Sequence, residues 1–120
     1  MERKREKKED FLIGNCGIHQ VNWKDRLGVL GIMIGEKNYW GKGYGTEAIE
    51  LLLDYGFNTL NLNRIELLVH DFNHRAIKCY EKLGFIKEGS KRQAVFINGD
   101  YYDTFMMGML NQDWKKRKKE

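Results

Sequence analysis

A change of apolar period around a glycine cluster constrains this chain more than any other feature. Val29 to Ile34 is an unbroken apolar run with Gly31 inside it, as in a strand buried on both faces. Glycine then recurs at Gly35, Gly41, Gly43 and Gly45. From Thr46 to Leu60 the apolar residues Ala48, Leu51, Leu52 and Tyr55, joined by Ile49, Leu53 and Phe57, return at helical spacing. Glu47, Glu50 and Asp54 lie off that stripe. A doubly buried strand, a glycine loop and an amphipathic helix in succession predict a mixed α/β sheet.

The rest of the chain agrees. Phe11 to Trp23 reads as a strand, and the polar stretch Asn22 to Arg26 suits a turn. Arg64 to Val69 returns to strand chemistry. Asn73 is a good N-cap for a helix to Leu83 that carries Ala76, Ile77 and Tyr80, and Gly84 stands where a C-cap glycine belongs. Gln93 to Ile97 and Tyr101 to Leu110 flank Asn98-Gly99, a strong hairpin signal. The predicted order is strand, strand, helix, strand, helix, hairpin. With 120 residues there is room for one domain: a charged segment 1–10, a core 11–110 and a basic tail 111–120.

The net charge of +4 has to be located before it is interpreted. Residues 1–10 carry five basic and four acidic groups, residues 113–120 five and two, and the segment between them eleven of each. The basic character therefore sits in Lys115 to Lys119, which reads as a solvated terminus, and the neutral core gives no reason to expect a nucleic-acid partner. No apolar run approaches the ~20 residues of a membrane span, and no secretory signal is visible, so a cytoplasmic address is expected. Cys16 and Cys79 read as small buried hydrophobes, and His19, His70 and His74 lack metal-ligand spacing. His19, near the end of the first strand, is positioned to face a bound acceptor.

The loop Tyr39-Trp40-Gly41-Lys42-Gly43-Tyr44-Gly45-Thr46 carries the chemistry. Glycines let a ligand approach the backbone, and the helix behind them offers unpaired N–H groups and the positive end of its dipole. Together these suit a pyrophosphate, with Lys42 as a nearby point charge. A P-loop is excluded because no Gly-Lys-Ser/Thr follows at the required distance, and the dinucleotide fingerprint fails because Gly45 is followed by Thr46-Glu47-Ala48. Alone, the cluster also fits a glycine-rich turn that binds nothing.

Gly41-Lys42-Gly43-Tyr44-Gly45-Thr46-Glu47-Ala48, followed by Asn73-x-x-Ala76-x-x-x-Tyr80-Glu81-Lys82-Leu83-Gly84-Phe85, resembles the GNAT superfamily of acyl-CoA-dependent N-acetyltransferases. Phe96-Ile97-Asn98-Gly99-x-Tyr101-x-Asp103 resembles its branch that acetylates ribosomal-protein N-termini or spermidine. The resemblance covers Phe11 to Leu110. It implies acetyl-CoA as cofactor, with the pantetheine arm of coenzyme A in a gap where the strand of Ile32, Met33 and Ile34 splays from its parallel neighbour at Leu67 to Val69. An N–H near Met33 or Ile34 would stabilise the oxyanion. Trp40, Gly41, Lys42, Gly43, Tyr44, Gly45 and Thr46 would line the cofactor loop, with Asn73, Ala76 and Tyr80 on the later helix.

Tyr80 is then the general acid, since a phenol with an ordinary pKa of ~10 can protonate a departing thiolate. The implied reaction is direct transfer to a primary amine, of a small molecule or a protein N-terminus, in a ternary complex. The alternative is a non-catalytic CoA-binding or interaction module. Two departures stand out. Family members open with a strand, two helices and a strand, where this chain has only Met1 to Asp10 before Phe11. The expected fold thus lacks that part, and a second copy covering the edge, as a homodimer, or a truncated product of weak activity is the expectation. Val29 also stands where a proton-accepting glutamate is usual, which leaves the base unassigned, and Trp40 replaces a Gln or Arg.

Overall fold

The computed structural model describes residues 11–13, 16–32 and 44–119. The strand expected over Phe11 to Trp23 is two strands, β1 (Phe11–Ile13) and β2 (Cys16–Asn22), paired antiparallel with Phe11 opposite Ile18. Asn22 then closes a turn by accepting the Asp25 N–H at 3.0 Å, and β3 (Leu27–Ile32) runs back along β2. Helix α1 (Tyr44–Asp54) continues into a π-helical turn (Tyr55–Thr59). β4 (Arg64–His70), α2 (His74–Leu83), β5 (Ile86–Ile97), β6 (Asp100–Leu110) and α3 (Asn111–Lys119) follow.

The sheet order is β1-β2-β3-β4-β6-β5. Only β3 and β4 are parallel among the described strands, as the sequence predicts for a mixed, mostly antiparallel sheet. Alternation along β4 buries Ile65, Leu67 and Val69, which join Ile18, Leu30, Met107 and Met109 from the other strands. The helices cover this face with Ile49, Leu52, Leu53 and Phe57, then Ala76, Tyr80 and Leu83, and finally Trp114. The buried stripe of α1 is narrower than its periodicity suggests, because Leu51 and Tyr55 are exposed. Arg64, Glu66, Leu68 and His70 stand on the opposite face of β4.

Local signals behave as their chemistry dictates. Asn73 Oδ1 accepts the Ala76 N–H at 3.3 Å, capping α2. Gly84, at φ +116°, ends α2 and donates its N–H back to Tyr80 and Glu81. Asn98 and Gly99, at φ +50° and +85°, form the primed hairpin turn. The first hairpin strand begins at Ile86, earlier than expected, because register shifts at Gly89 and near Gln93 interrupt its alternation.

The basic tail departs most from expectation. Lys115, Lys116 and Lys118 are indeed solvated. They stand, however, on helix α3, whose other side buries Asn111 and Trp114. Asn111 donates from Nδ2 to the carbonyls of Phe57 (3.2 Å) and Leu62 (2.8 Å), while the Trp114 ring lies 6.2 Å from that of Phe57. Spaced three residues apart, these two side chains share one helical face, which a count of charges cannot reveal.

Candidate active site

The parallel ladder between β3 and β4 is short. It pairs Leu27 with Arg64, Gly28 with Ile65 and Val29 with Glu66, and then stops, although β3 runs on to Ile32 and β4 to His70. Beyond Val29, β3 remains paired to β2, and beyond Glu66, β4 remains paired to β6. The two strands thus form a fork in mid-sheet whose inner edges lack each other as partners. Backbone groups on such edges need some other hydrogen-bond partner.

The expected site residues that the structure describes stand on β3, α1 and α2. Thr46, in the first turn of α1, brings its hydroxyl to 3.2 Å from Cys79 Sγ on α2, tying the two helices together. Ala76 and Tyr80, one turn apart, are buried on the same face of α2, and Tyr80 meets Phe85 edge-on at 5.7 Å. Ile32 ends β3, opposite Cys16 and past the last rung shared with β4. Tyr44 and Gly45 open α1, whose first-turn N–H groups have no intrahelical acceptor. Met33, Ile34, Trp40, Gly41, Lys42 and Gly43 lie outside the described residues.

The thiols are poor nucleophiles. Burial pushes Cys16 up to about 11 and also raises Cys79, against the opposing effect of its Thr46 hydrogen bond. Cys16 is the small buried hydrophobe the sequence suggests, whereas Cys79 is only half-buried and shares a hydrogen bond with Thr46. Among the described residues no cluster of His, Cys, Asp and Glu could hold a metal ion, and no helix is long and apolar enough to cross a membrane. His19 on β2, opposite Val29, packs its ring against Gly31, where an added methyl would sit 3.2 Å away.

Sequence inspection passed over a charged group on the uncovered face. Arg64 donates from Nε and Nη2 to Glu66 Oε1 (3.1 and 2.9 Å) and from Nη1 and Nη2 to the two oxygens of Glu88 (3.0 and 2.6 Å). The bridge passes over Gly108, where a methyl group would come within 2.8 Å of the guanidinium. The Glu88 bonds raise Arg64 further above its ordinary range and hold the Glu88 carboxyl below its own. The signal was present as opposite charges two residues apart in Arg64-Ile65-Glu66, on one face of a strand.

Comparison with known proteins places this geometry. Residues 2–86 match the model of the acetyltransferase (GNAT) domain. The uncharacterized N-acetyltransferase p20 of Bacillus licheniformis is 38% identical over 108 residues, covering 90% of this chain and 60% of that protein. The spermidine N(1)-acetyltransferase of Escherichia coli K12 is 38% identical over 95 residues, covering 79% of this chain and 50% of the relative. In solved structures, the spermidine/spermine N-acetyltransferase SpeG from Vibrio cholerae superposes with a TM-score of 0.77 at 34% identity, over 86% of this chain and 59% of that one. The chain therefore spans between half and three fifths of the length of these relatives. On its fork, its helices and its sequence, the chain belongs to the GNAT acetyltransferase family.

Proposed function

We propose that this chain is an acetyl-CoA-dependent N-acetyltransferase that acts on a primary amine by direct attack in a ternary complex. The observation that carries the proposal is the ladder that stops at Val29 and Glu66 while both strands run on. Open strand edges suit an extended, amide-bearing arm, which satisfies them as an added strand would. Coenzyme A has such an arm, and when bound its acetyl thioester supplies the activated acyl group.

This chain's residues would do the rest. The inner edges at Ile32 and at Leu67 to Val69 hold the arm. The first turn of α1, from Tyr44 through Thr46, directs N–H groups at the diphosphate together with the glycine loop and Lys42. Asn73 and Ala76 fix the start of α2, and Tyr80 donates the proton that the leaving sulfur takes up. Cys16 and Cys79, both shifted toward the protonated thiol, take no acyl group. The acceptor class follows the relatives: an aliphatic polyamine such as spermidine, or the free N-terminus of a protein. The proposal extends to a cytoplasmic homodimer, since β1 is an outer strand among the described residues and such edges pair readily between copies.

A titration with CoA, followed by a thiol-release assay over a panel of spermidine, diamines and N-terminal peptides, tests the assignment. The expected result is CoA binding, acetylation of at least one amine, and a Tyr80→Phe variant that keeps CoA affinity while losing ~10²–10⁴-fold in turnover. Binding without transfer would favour a non-catalytic CoA module. No binding overturns both.

A further inference from the structure

At the mouth of the fork lies a pocket of about 170 Å³, lined by Gln20, Val29, Glu66, Leu67, Leu68, Lys91 and Met106. Its placement is a product of register. Glu66 is the last β4 residue paired to β3, directly opposite Val29, and its partner on β6 is Gly108, so neither neighbour crowds the carboxylate with a large side chain. Gln20 reaches the pocket from the irregularity between His19 and Asn22, where its own φ is +50°. Val29, Met106 and the half-exposed Leu68 make an apolar wall.

The carboxylate is only half used. Both hydrogen bonds from Arg64 fall on Oε1 of Glu66, and Oε2 receives none among the described residues. Arg64 is not free to swing across and cap it, because Glu88 holds the same guanidinium from the other side at 2.6 and 3.0 Å. An anionic oxygen held in place beside an aliphatic wall is complementary to an alkylammonium group, as charge-assisted hydrogen bonds are strong and methylenes gain from apolar contact. Lys91, an exposed cation on the pocket rim, opposes that attraction.

We propose that Oε2 of Glu66 anchors the ammonium of a linear alkylamine, its methylenes along Val29, Leu68 and Met106, with Lys91 as the opposing charge that tunes affinity. That this amine is the acetyl acceptor rests on the transferase assignment; its binding here does not.

A titration of the full chain, carrying ¹³C-labelled Val, Leu and Met methyl groups, with 1,4-diaminobutane separates the two questions. The Val29, Leu68 and Met106 methyls are expected to shift saturably with the diamine and not with 1-butanol. Glu66→Gln, which keeps the shape, weakens binding about tenfold. Lys91→Gln strengthens it about two- to threefold. Glu88→Gln frees the Arg64 guanidinium to reach Oε2 but leaves the carboxylate in place, and so weakens diamine binding less than Glu66→Gln does. Absence of saturable shifts, equal binding of 1-butanol, or equal weakening by Glu66→Gln and Glu88→Gln overturns the proposal. A chain that binds the diamine at these methyls but does not bind CoA leaves this site standing and removes the transferase assignment. A chain that acetylates diamines but shows no saturable shifts at these methyls does the reverse.

Discussion

Replacing Trp114 by alanine measures what the C-terminal helix contributes to the fold. Trp114 is fully buried, 6.2 Å from the Phe57 ring, with Lys118 and Arg117 approaching its face at 5.1 and 5.5 Å. Truncating a buried tryptophan costs ~3–5 kcal/mol, through lost transfer energy and an unfilled cavity. The two cations are at the surface, where each such contact adds at most ~1 kcal/mol. A domain of this size loses about 4 °C of midpoint per kcal/mol, so Trp114→Ala is expected to lower Tm by about 12–20 °C. Far-ultraviolet circular dichroism follows the transition without relying on tryptophan emission, and Lys115→Ala, at an exposed position of the same helix, serves as the control. Trp114→Phe is expected to fall between the two, because the indole Nε1 has no hydrogen-bond partner among the described residues and so none is lost. A Trp114→Ala cost no larger than that of Lys115→Ala would show that residues 111–119 are a solvated tail, and the packing described here would be wrong.

Two further outcomes follow from the titrating groups. Arg64 holds the Glu88 carboxyl below the ordinary glutamate value, so its stabilisation is present above that value and is lost as pH falls through the lowered one. Glu88 is more than a third exposed, so solvent screening keeps the effect under about 1 kcal/mol. Urea midpoints of wild type and Glu88→Gln should differ at pH 7 and converge only as pH falls from the ordinary glutamate value through the lowered one; a constant difference refutes the ion pair. With its thiol pushed up to about 11, Cys16 should resist a disulfide reagent at pH 7 until the chain is unfolded in urea, with Cys79 similarly slowed. Rapid native-state labelling of Cys16 would contradict its burial.

Much of the fold was legible because local chemistry and global pattern agree in it. Asn73, Gly84 and the Asn98-Gly99 pair act within a few residues of themselves, and the structure places each cap and turn where the residue type requires. Helix α1 was legible in its existence but not in its face, since Leu51 and Tyr55 fit the period and are exposed all the same. The division of β1 from β2, the early start of β5 and the docking of α3 depend on contacts between distant segments. Trp114 meets Phe57 across 57 positions, and no window along the chain contains both. The same holds for the site. The fork was implied by resemblance, whereas Glu66 came into view only when its register with Val29 and Gly108 was known.

The position of β6 has a consequence for how the chain comes to be folded at all. Although β6 follows β5 in sequence, it is inserted between β4 and β5 in the sheet, and α3 then closes over Phe57 and Leu62. A nascent chain that has reached Gly99 has made both flanking strands and still lacks the one that joins them. Assembly in the order of synthesis is therefore blocked at the centre of the sheet, and β5 has no place to dock until β6 has left the ribosome.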